Sequence, residues 1–383
     1  MIQLYDVIII GAGPAGTSCA YNLKRKNPKL RVLLVDKAKF PRYKPCGGGV
    51  SPEVTQYLDY DLSPAINYVC HEVVMVTQGK HITSTQYPLW MVRREQFDHF
   101  LLSKAQALGV EFIHSCEVRD VIQTAVGTTV ITPIGEFTAT VIVLAEGGRG
   151  KLAKYLRFPC KTKIFAAMEY EHYTQELIGK LYIDFDYNDN GYAWNFPKMD
   201  GLSLGIGGFI KGRSLGKVGL PQKLKEYSRQ FRVQELEKPY LHGHPIQLYA
   251  GHTSLVRGNI LLIGEIAGCV DPLTAEGIRP AIKSGYLAAS IIDQALAEQK
   301  LSILKKYEKV FHKQIGRDFQ YARIISYFLN KNLSRVLPMF ANEKAINGFM
   351  SVFSGHTTYR DKINLHRIAQ LLWKKYNKLS FPV

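Results

Sequence analysis

The sequence predicts an α/β protein with a Rossmann-like nucleotide-binding domain, an antiparallel β-sheet domain for substrate and a C-terminal helical region. Three observations carry that reading. A glycine fingerprint sits between a buried strand and a helix at the N-terminus. A second strand, loop and helix follow about 250 residues later. Short strands separated by turn residues lie between the two.

The first stretch is YDVIIIGAGPAGTSCAYNLKRKNPKLRVLLVDK, from Tyr5. Its apolar run Val7–Ile10 suits a strand buried on both faces of a parallel sheet. Gly11, Gly13 and Gly16 form G-x-G-x-x-G in the required place. Gly11 makes the tight turn, Gly13 admits a pyrophosphate to the backbone, and Gly16 lets helix and strand pack closely. Pro14 and Ala15 open the helix, whose free N–H groups and positive end suit phosphate. Asp36, with Lys37 beside it, closes the second strand 20 residues beyond Gly16. A carboxylate there accepts from the ribose hydroxyls of an adenosine.

The fingerprint alone does not separate FAD from NAD. NILLIGEIAGCVDPLTAEGIRPAIKSGYLAASII is again a buried strand, Ile260–Ile263, then a loop and a long helix. A long cofactor with a ribityl chain and a ring needs that second element, which favours FAD. Gly264 and Glu265 follow the strand, and Glu265 can accept from hydroxyls of the cofactor. The helix starts near Ala275–Ile278, with Gly277 and Ile278 as cofactor candidates, and its N–H groups can face a flavin carbonyl.

Between these lies VRREQFDHFLLSKAQALGVEFI, in which Phe97, Phe100, Leu101 and Leu108 mark an amphipathic helix followed by a strand. Arg94, just before it, reads either as a surface charge or as an arm to the cofactor phosphates or ribityl chain. Val118 follows and joins the cofactor candidates. TVIVLAEGGRGKLAKYL is a further strand ending in Glu146, Gly147 and Gly148, completing the nucleotide layer.

Two stretches lie outside this pattern. RYKPCGGGVSP, from Arg42, places Cys46 before Gly47, Gly48 and Gly49. Three glycines cost backbone entropy, so the segment is either a mobile loop or backbone pressed against a neighbour. GYAWNFPK sets Tyr192, Trp194 and Phe196 at period two, on one side of a strand. They form either the sheet's own core or an aromatic wall for a ligand. Strands are also expected over 163–171, 180–186 and 202–209, with a turn at Asn188–Gly191 and a loop at His242–Pro245.

Composition bounds the rest. The chain has 383 residues, a formal net charge of +17 and six cysteines with no paired spacing. That suits a reduced, cytoplasmic protein whose thiols are mostly small core residues. No apolar run approaches the ~20 residues of a membrane span, and no signal peptide is expected, since the first strand begins almost at once. The basic surface reads either as an ordinary soluble surface or as one that touches anionic membrane peripherally. Nothing resembles a nucleic-acid-binding module, no histidine spacing suggests a metal site, and no oligomeric state is implied. The last helix pattern, with Ile368, Leu371, Leu372 and Tyr376, reads as docked or as lying on a membrane surface.

Together GAGPAG, FPRYKPCGGGVS, RREQFD, GYAWNFPK with LGIGG, GEIAGCVDPLTAEGI and SGHTTYRD resemble the geranylgeranyl reductase family of FAD-dependent oxidoreductases, within the aromatic-hydroxylase-like flavoproteins. The resemblance runs to about Asp361. It implies a discontinuous FAD-binding domain over 1–57, 95–160 and 250–295, a sheet domain over 58–94 and 161–249, and a helical region over 296–383. It places the loop of Cys46, Gly47 and Gly48 along the flavin, with Cys46 as a proton donor or a shaper of the pocket. It makes Tyr192, Trp194 and Phe196 the wall of an isoprenoid channel. The implied reaction saturates carbon–carbon double bonds of a geranylgeranyl chain carried on a diphosphate, a pigment precursor or a lipid. NADPH or ferredoxin would be the electron donor. A monooxygenase or halogenase on an apolar substrate, and a non-catalytic prenyl-binding carrier, are the alternatives.

The sequence also departs from the family. Glu146 and Glu265 stand where aspartates are usual, Gly150 where a serine is expected, and Ala275 where a glycine precedes Glu276. Each longer carboxylate either keeps its hydrogen bond by a shifted backbone or weakens FAD retention.

Overall fold

A computed structural model describes residues 3–124, 127–159, 163–176, 179–188, 191–209, 219–327 and 341–362. The terminal pattern around Ile368–Tyr376, Cys160 and the middle of the Asn188–Gly191 turn lie outside the described residues.

The apolar N-terminal run forms the strand Gln3–Ile10, central in a mainly parallel sheet. Its parallel neighbours are Val32–Val35 on one side and Gly135–Leu144 on the other, in register at Val7 with Val32 and Val141. Glu111–Ile113 and Ile260–Leu262 extend this layer. The strands are buried on both faces because helices cover them: Val7, Ile8, Ile9, Val141 and Ile142 have no exposed surface. The helix Pro14–Lys26 leaves the fingerprint and packs on the long helix Ile278–Ala297. Gly285 makes that contact close, since a Cβ there would lie 2.3 Å from the Ala15 carbonyl oxygen. The two distant motifs of the sequence are therefore neighbours in space.

A seven-stranded sheet forms the second layer, in the order 241–248, 163–173, 201–209, 191–198, 180–184, 72–77 and 80–84. It is antiparallel except where 180–184 runs parallel to 72–77. The expected strands over 163–171, 180–186 and 202–209 are present with shifts of one or two residues at their ends. His242–Pro245, expected as a loop, lies within the strand Leu241–Leu248. Pro245 is tolerated because this is an edge strand, paired only with Lys163–Tyr173.

The helix over Arg94–Ala107 buries Phe97 and Leu101 as expected, but Leu108 lies just past its end and is exposed. The thiols of Cys19, Cys70, Cys116 and Cys269 are buried, and Cys46 is half-buried. Among the described residues, no helix is long and apolar enough to cross a membrane.

Candidate active site

A cavity of about 1180 Å³ lies between the two layers. One end is the fingerprint. Gly11 has φ +109°, and a Cβ on it would lie 2.3 Å from the Ala145 carbonyl oxygen. A Cβ on Gly16 would lie 1.9 Å from the Gly11 oxygen, so this glycine does serve close packing. Gly13 is different: the nearest atom to a Cβ there is Arg42 Nη2, 3.7 Å away. Its backbone faces open cavity. No side chain caps the helix that starts at Pro14, so its first N–H groups are free for an anion.

Asp36 accepts from the N–H of Ala12 at 2.7 Å and of Ala38 at 2.8 Å, which fixes its carboxylate at the cavity edge with lone pairs to spare. Lys37, Pro14, Ala15, Val118, Gly147, Gly264, Gly277 and Ile278 also line the cavity. This set fits the adenosine and pyrophosphate of FAD. Gly13 provides a cradle that a side chain would fill, and a helix terminus and a carboxylate stand on either side of it.

Arg94 is not a surface charge; it lines the cavity. It is buried and its guanidinium grips Asp98 through Nε at 2.8 Å and Nη2 at 2.7 Å. That carboxylate, together with the Cys46 sulfur, holds the guanidinium firmly charged. Arg42 Nη2 meets the same Asp98 at 3.0 Å, and it is Arg42 that stands beside Gly13. Both major carboxylates are likewise turned into protein. Glu146 accepts from the N–H groups of Lys151, Leu152 and Ala153 at 3.1–3.2 Å, capping a short helix. Glu265 accepts from Gln247 N–H at 2.9 Å and lies against Gly148, where a Cβ would be 2.3 Å from its Oε1. Both longer carboxylates hydrogen-bond to backbone N–H groups and also line the cavity.

The other end of the cavity is apolar. Tyr192, Trp194 and Phe196 line it from the strand Gly191–Lys198, joined by Phe349 and Phe353 from the helix Glu343–Phe353. Tyr192 donates to the Thr274 carbonyl at 2.6 Å, which ties this wall to the loop before the long helix. Trp194 Nε1–H is buried with no protein partner among the described residues. A buried donor without a partner is costly, so a ligand acceptor or water is expected there.

The glycine triplet runs between the two ends, but its missing side chains make room for protein. A Cβ on Gly47 would lie 2.8 Å from the Phe196 ring, and one on Gly49 would lie 2.9 Å from it. Gly48 has φ +73°, and its Cβ would be 2.1 Å from the Val92 carbonyl oxygen. The triplet is backbone pressed against neighbours, the aromatic strand and Val92, and it lines the cavity. Lys198, fully buried, donates to the carbonyls of Gly47 at 2.7 Å and Val92 at 3.1 Å and pins the loop. Burial pushes the Lys198 ammonium down to about 8.

Comparison with known proteins gives these features a context. A family model described as lycopene cyclase protein matches residues 6–178. A digeranylgeranylglycerophospholipid reductase of Methanococcus vannielii is 25% identical over 375 residues, covering 87% of this chain and 90% of its own. A solved structure described as geranylgeranyl bacteriochlorophyll reductase-like, from Thermoplasma acidophilum, superposes with a TM-score of 0.77 at 18% identity, covering 93% of this chain and 92% of that one. A flavin-dependent brominase superposes with a TM-score of 0.73 at 20% identity, covering 98% of this chain and 100% of that one. Along most of its length the chain is similar to proteins named digeranylgeranylglycerophospholipid reductase, and it shares the fold of the geranylgeranyl reductase-like structure.

Several residues in or beside the cavity carry no signal in the sequence. Arg42 and Tyr43 sit in a quoted motif but no spacing rule singles them out. Lys198 ends the aromatic strand. Glu169, Glu171 and Arg93 form a buried polar group beneath the glycine loop. Arg93 pairs with Glu171 and Asp200, and Tyr43 O–H donates to Glu169 at 2.5 Å. Alternating carboxylates on a strand were a readable hint of one buried polar face.

Proposed function

We propose that the protein uses FAD to saturate carbon–carbon double bonds of a geranylgeranyl-type chain. One observation carries this reading: a single cavity joins a dinucleotide cradle at Gly13 and Asp36 to an apolar arm walled by Tyr192, Trp194, Phe196, Phe349 and Phe353. The relatives named as reductases of geranylgeranyl lipids support it.

Bound FAD, once reduced by NADPH, ferredoxin or another donor, supplies the hydride. The chain supplies everything else. Asp36, the Gly13 cradle and Arg42 hold the adenosine and phosphates. The aromatic wall excludes water and orients an extended polyene, which an isolated alkene needs because it is poorly polarised. Lys198 fixes the loop that presents Cys46 to the cavity. Cys46 stands beside the Arg94 guanidinium, which can stabilise the thiolate left when the thiol gives its proton to the second alkene carbon. The substrate head group, on this reading, is a diphosphate or a phospholipid, for which the basic surface is suited.

The test is anaerobic. The protein is loaded with FAD, reduced with dithionite and mixed with geranylgeranyl diphosphate or a digeranylgeranyl phospholipid. Flavin reoxidation with a product heavier by two hydrogens per turnover is expected. Reoxidation only by oxygen would replace the reductase reading with a monooxygenase or halogenase. Refusal of FAD would leave a prenyl carrier.

A further inference from the structure

We propose that Tyr43 and Glu169 form a proton inlet, carrying protons from solvent into the cavity to replace the one consumed with each double bond reduced. This inference rests on the reductase reading above.

Each reduction uses one hydride and one proton. A water-excluding cavity cannot draw that proton directly from bulk. The Tyr43–Glu169 pair spans the boundary. Tyr43 is 42% exposed, whereas Glu169 is 3% exposed, and both line the cavity. The phenol donates to Glu169 Oε1 at 2.5 Å. Glu169 also accepts from the backbone N–H of Cys46, at the start of the glycine loop. The carboxyl therefore links a tyrosine partly open to solvent to the residue presented to the apolar arm.

The surrounding charges leave Glu169 free for this work. Glu171, on the same strand, is paired with Arg93. Lys198, from the aromatic strand, is hydrogen-bonded to two carbonyls. His242 lies opposite Glu169 across the strand pair, and its ring packs on Tyr43 at 4.3 Å. Among the described residues no cation comes within ion-pair distance of Glu169. Burial, with Glu171 nearby, pushes its carboxyl up to about 7, so it can take up and release a proton near neutrality. Burial and Glu169 also push the Tyr43 phenol well up. Tyr43 thus acts as a neutral shuttle. Its O–H proton passes to Glu169 as its oxygen takes one from water, and the hydroxide left is neutralised in bulk. Glu169 passes its proton to the Cys46 thiol as that thiol gives its own to the new C–H bond, so the two transfers occur together in every turnover. The electrons come only from the reduced flavin.

The experiment follows flavin reoxidation by geranylgeranyl diphosphate in anaerobic stopped flow, over a range of pH. The wild-type rate should fall as pH rises through about 7, where Glu169 loses its proton. E169Q should be slower by about 10²-fold, within the range for a lost acid–base group, and flat in pH, with FAD content unchanged. Y43F should make its first turnover near the wild-type rate, because the first proton is already on Glu169, and slow in later ones. An E169Q enzyme with the wild-type rate and pH profile would overturn the inlet, as would Y43F slowed equally in all turnovers. A second readout is independent of substrate: infrared pH titration of the carboxyl band lost in E169Q. Titration near pH 7 with no reoxidation by prenyl substrate would sink the reductase reading while the proton site stands. No such band would sink the inlet itself.

Discussion

At the scale of single residues, the two longer carboxylates show how a substitution is absorbed. Glu265 carries one methylene more than the usual aspartate, and its carboxylate occupies the space a Gly148 side chain would need. Gly148→Ala should therefore push the carboxylate off the Gln247 N–H, at a cost of about 1 kcal/mol for the lost hydrogen bond. Adding Glu265→Asp should recover part of that loss. Urea unfolding of the two single variants and the double variant measures the coupling. Additive losses would show that the two residues do not share that space.

Buried carboxyls set the pH dependence at the same scale. Burial raises both Glu169 and Glu276 to about 7. The folded state therefore holds more protons than the unfolded chain from the ordinary carboxyl range up to about 7. The unfolding free energy should fall as pH rises through that window. E169Q and E276Q should each remove part of the slope. Denaturant melts between pH 4 and 8 on the FAD-free protein report it directly, and a slope unchanged in both variants would refute the assignment.

At the scale of elements, the glycine loop and the aromatic strand are one unit. Phe196 packs on Gly47 and Gly49, while Lys198, two residues on, ties Gly47 and Val92 together. Gly48→Ala is the most disruptive change in the triplet, since it meets a backbone oxygen in a left-handed conformation. Left-handed strain and overpacking each cost a kcal/mol or more, so a loss of about 3 kcal/mol is expected. Gly47→Ala meets ring atoms that can shift and should cost less. Thermal melts of the two variants rank them, and the reverse order would contradict this packing.

At the scale of the whole molecule, the large cavity is the seam between the two sheets. Ligand in the seam should therefore stabilise the whole chain. FAD at 100 times its Kd should add about 2.7 kcal/mol to folding, seen as a higher melting temperature. A melting temperature indifferent to FAD would mean that the cofactor does not bind the folded state.

The nucleotide layer was legible in the sequence because its contacts are local. Gly11, Gly16 and Asp36 belong to one strand-helix-strand unit, whose burial and turns are written in consecutive residues. The period-two aromatics were legible for the same reason. What only the tertiary structure decided are the contacts made across sheet register. Tyr43 meets Glu169 across 126 positions, and Lys198 meets Gly47 across 151. No spacing rule joins residues so far apart. The sequence shows that three glycines need a close neighbour. That the neighbour is Phe196 and Val92 follows from how the second sheet folds back over the first, and only packing in three dimensions specifies that.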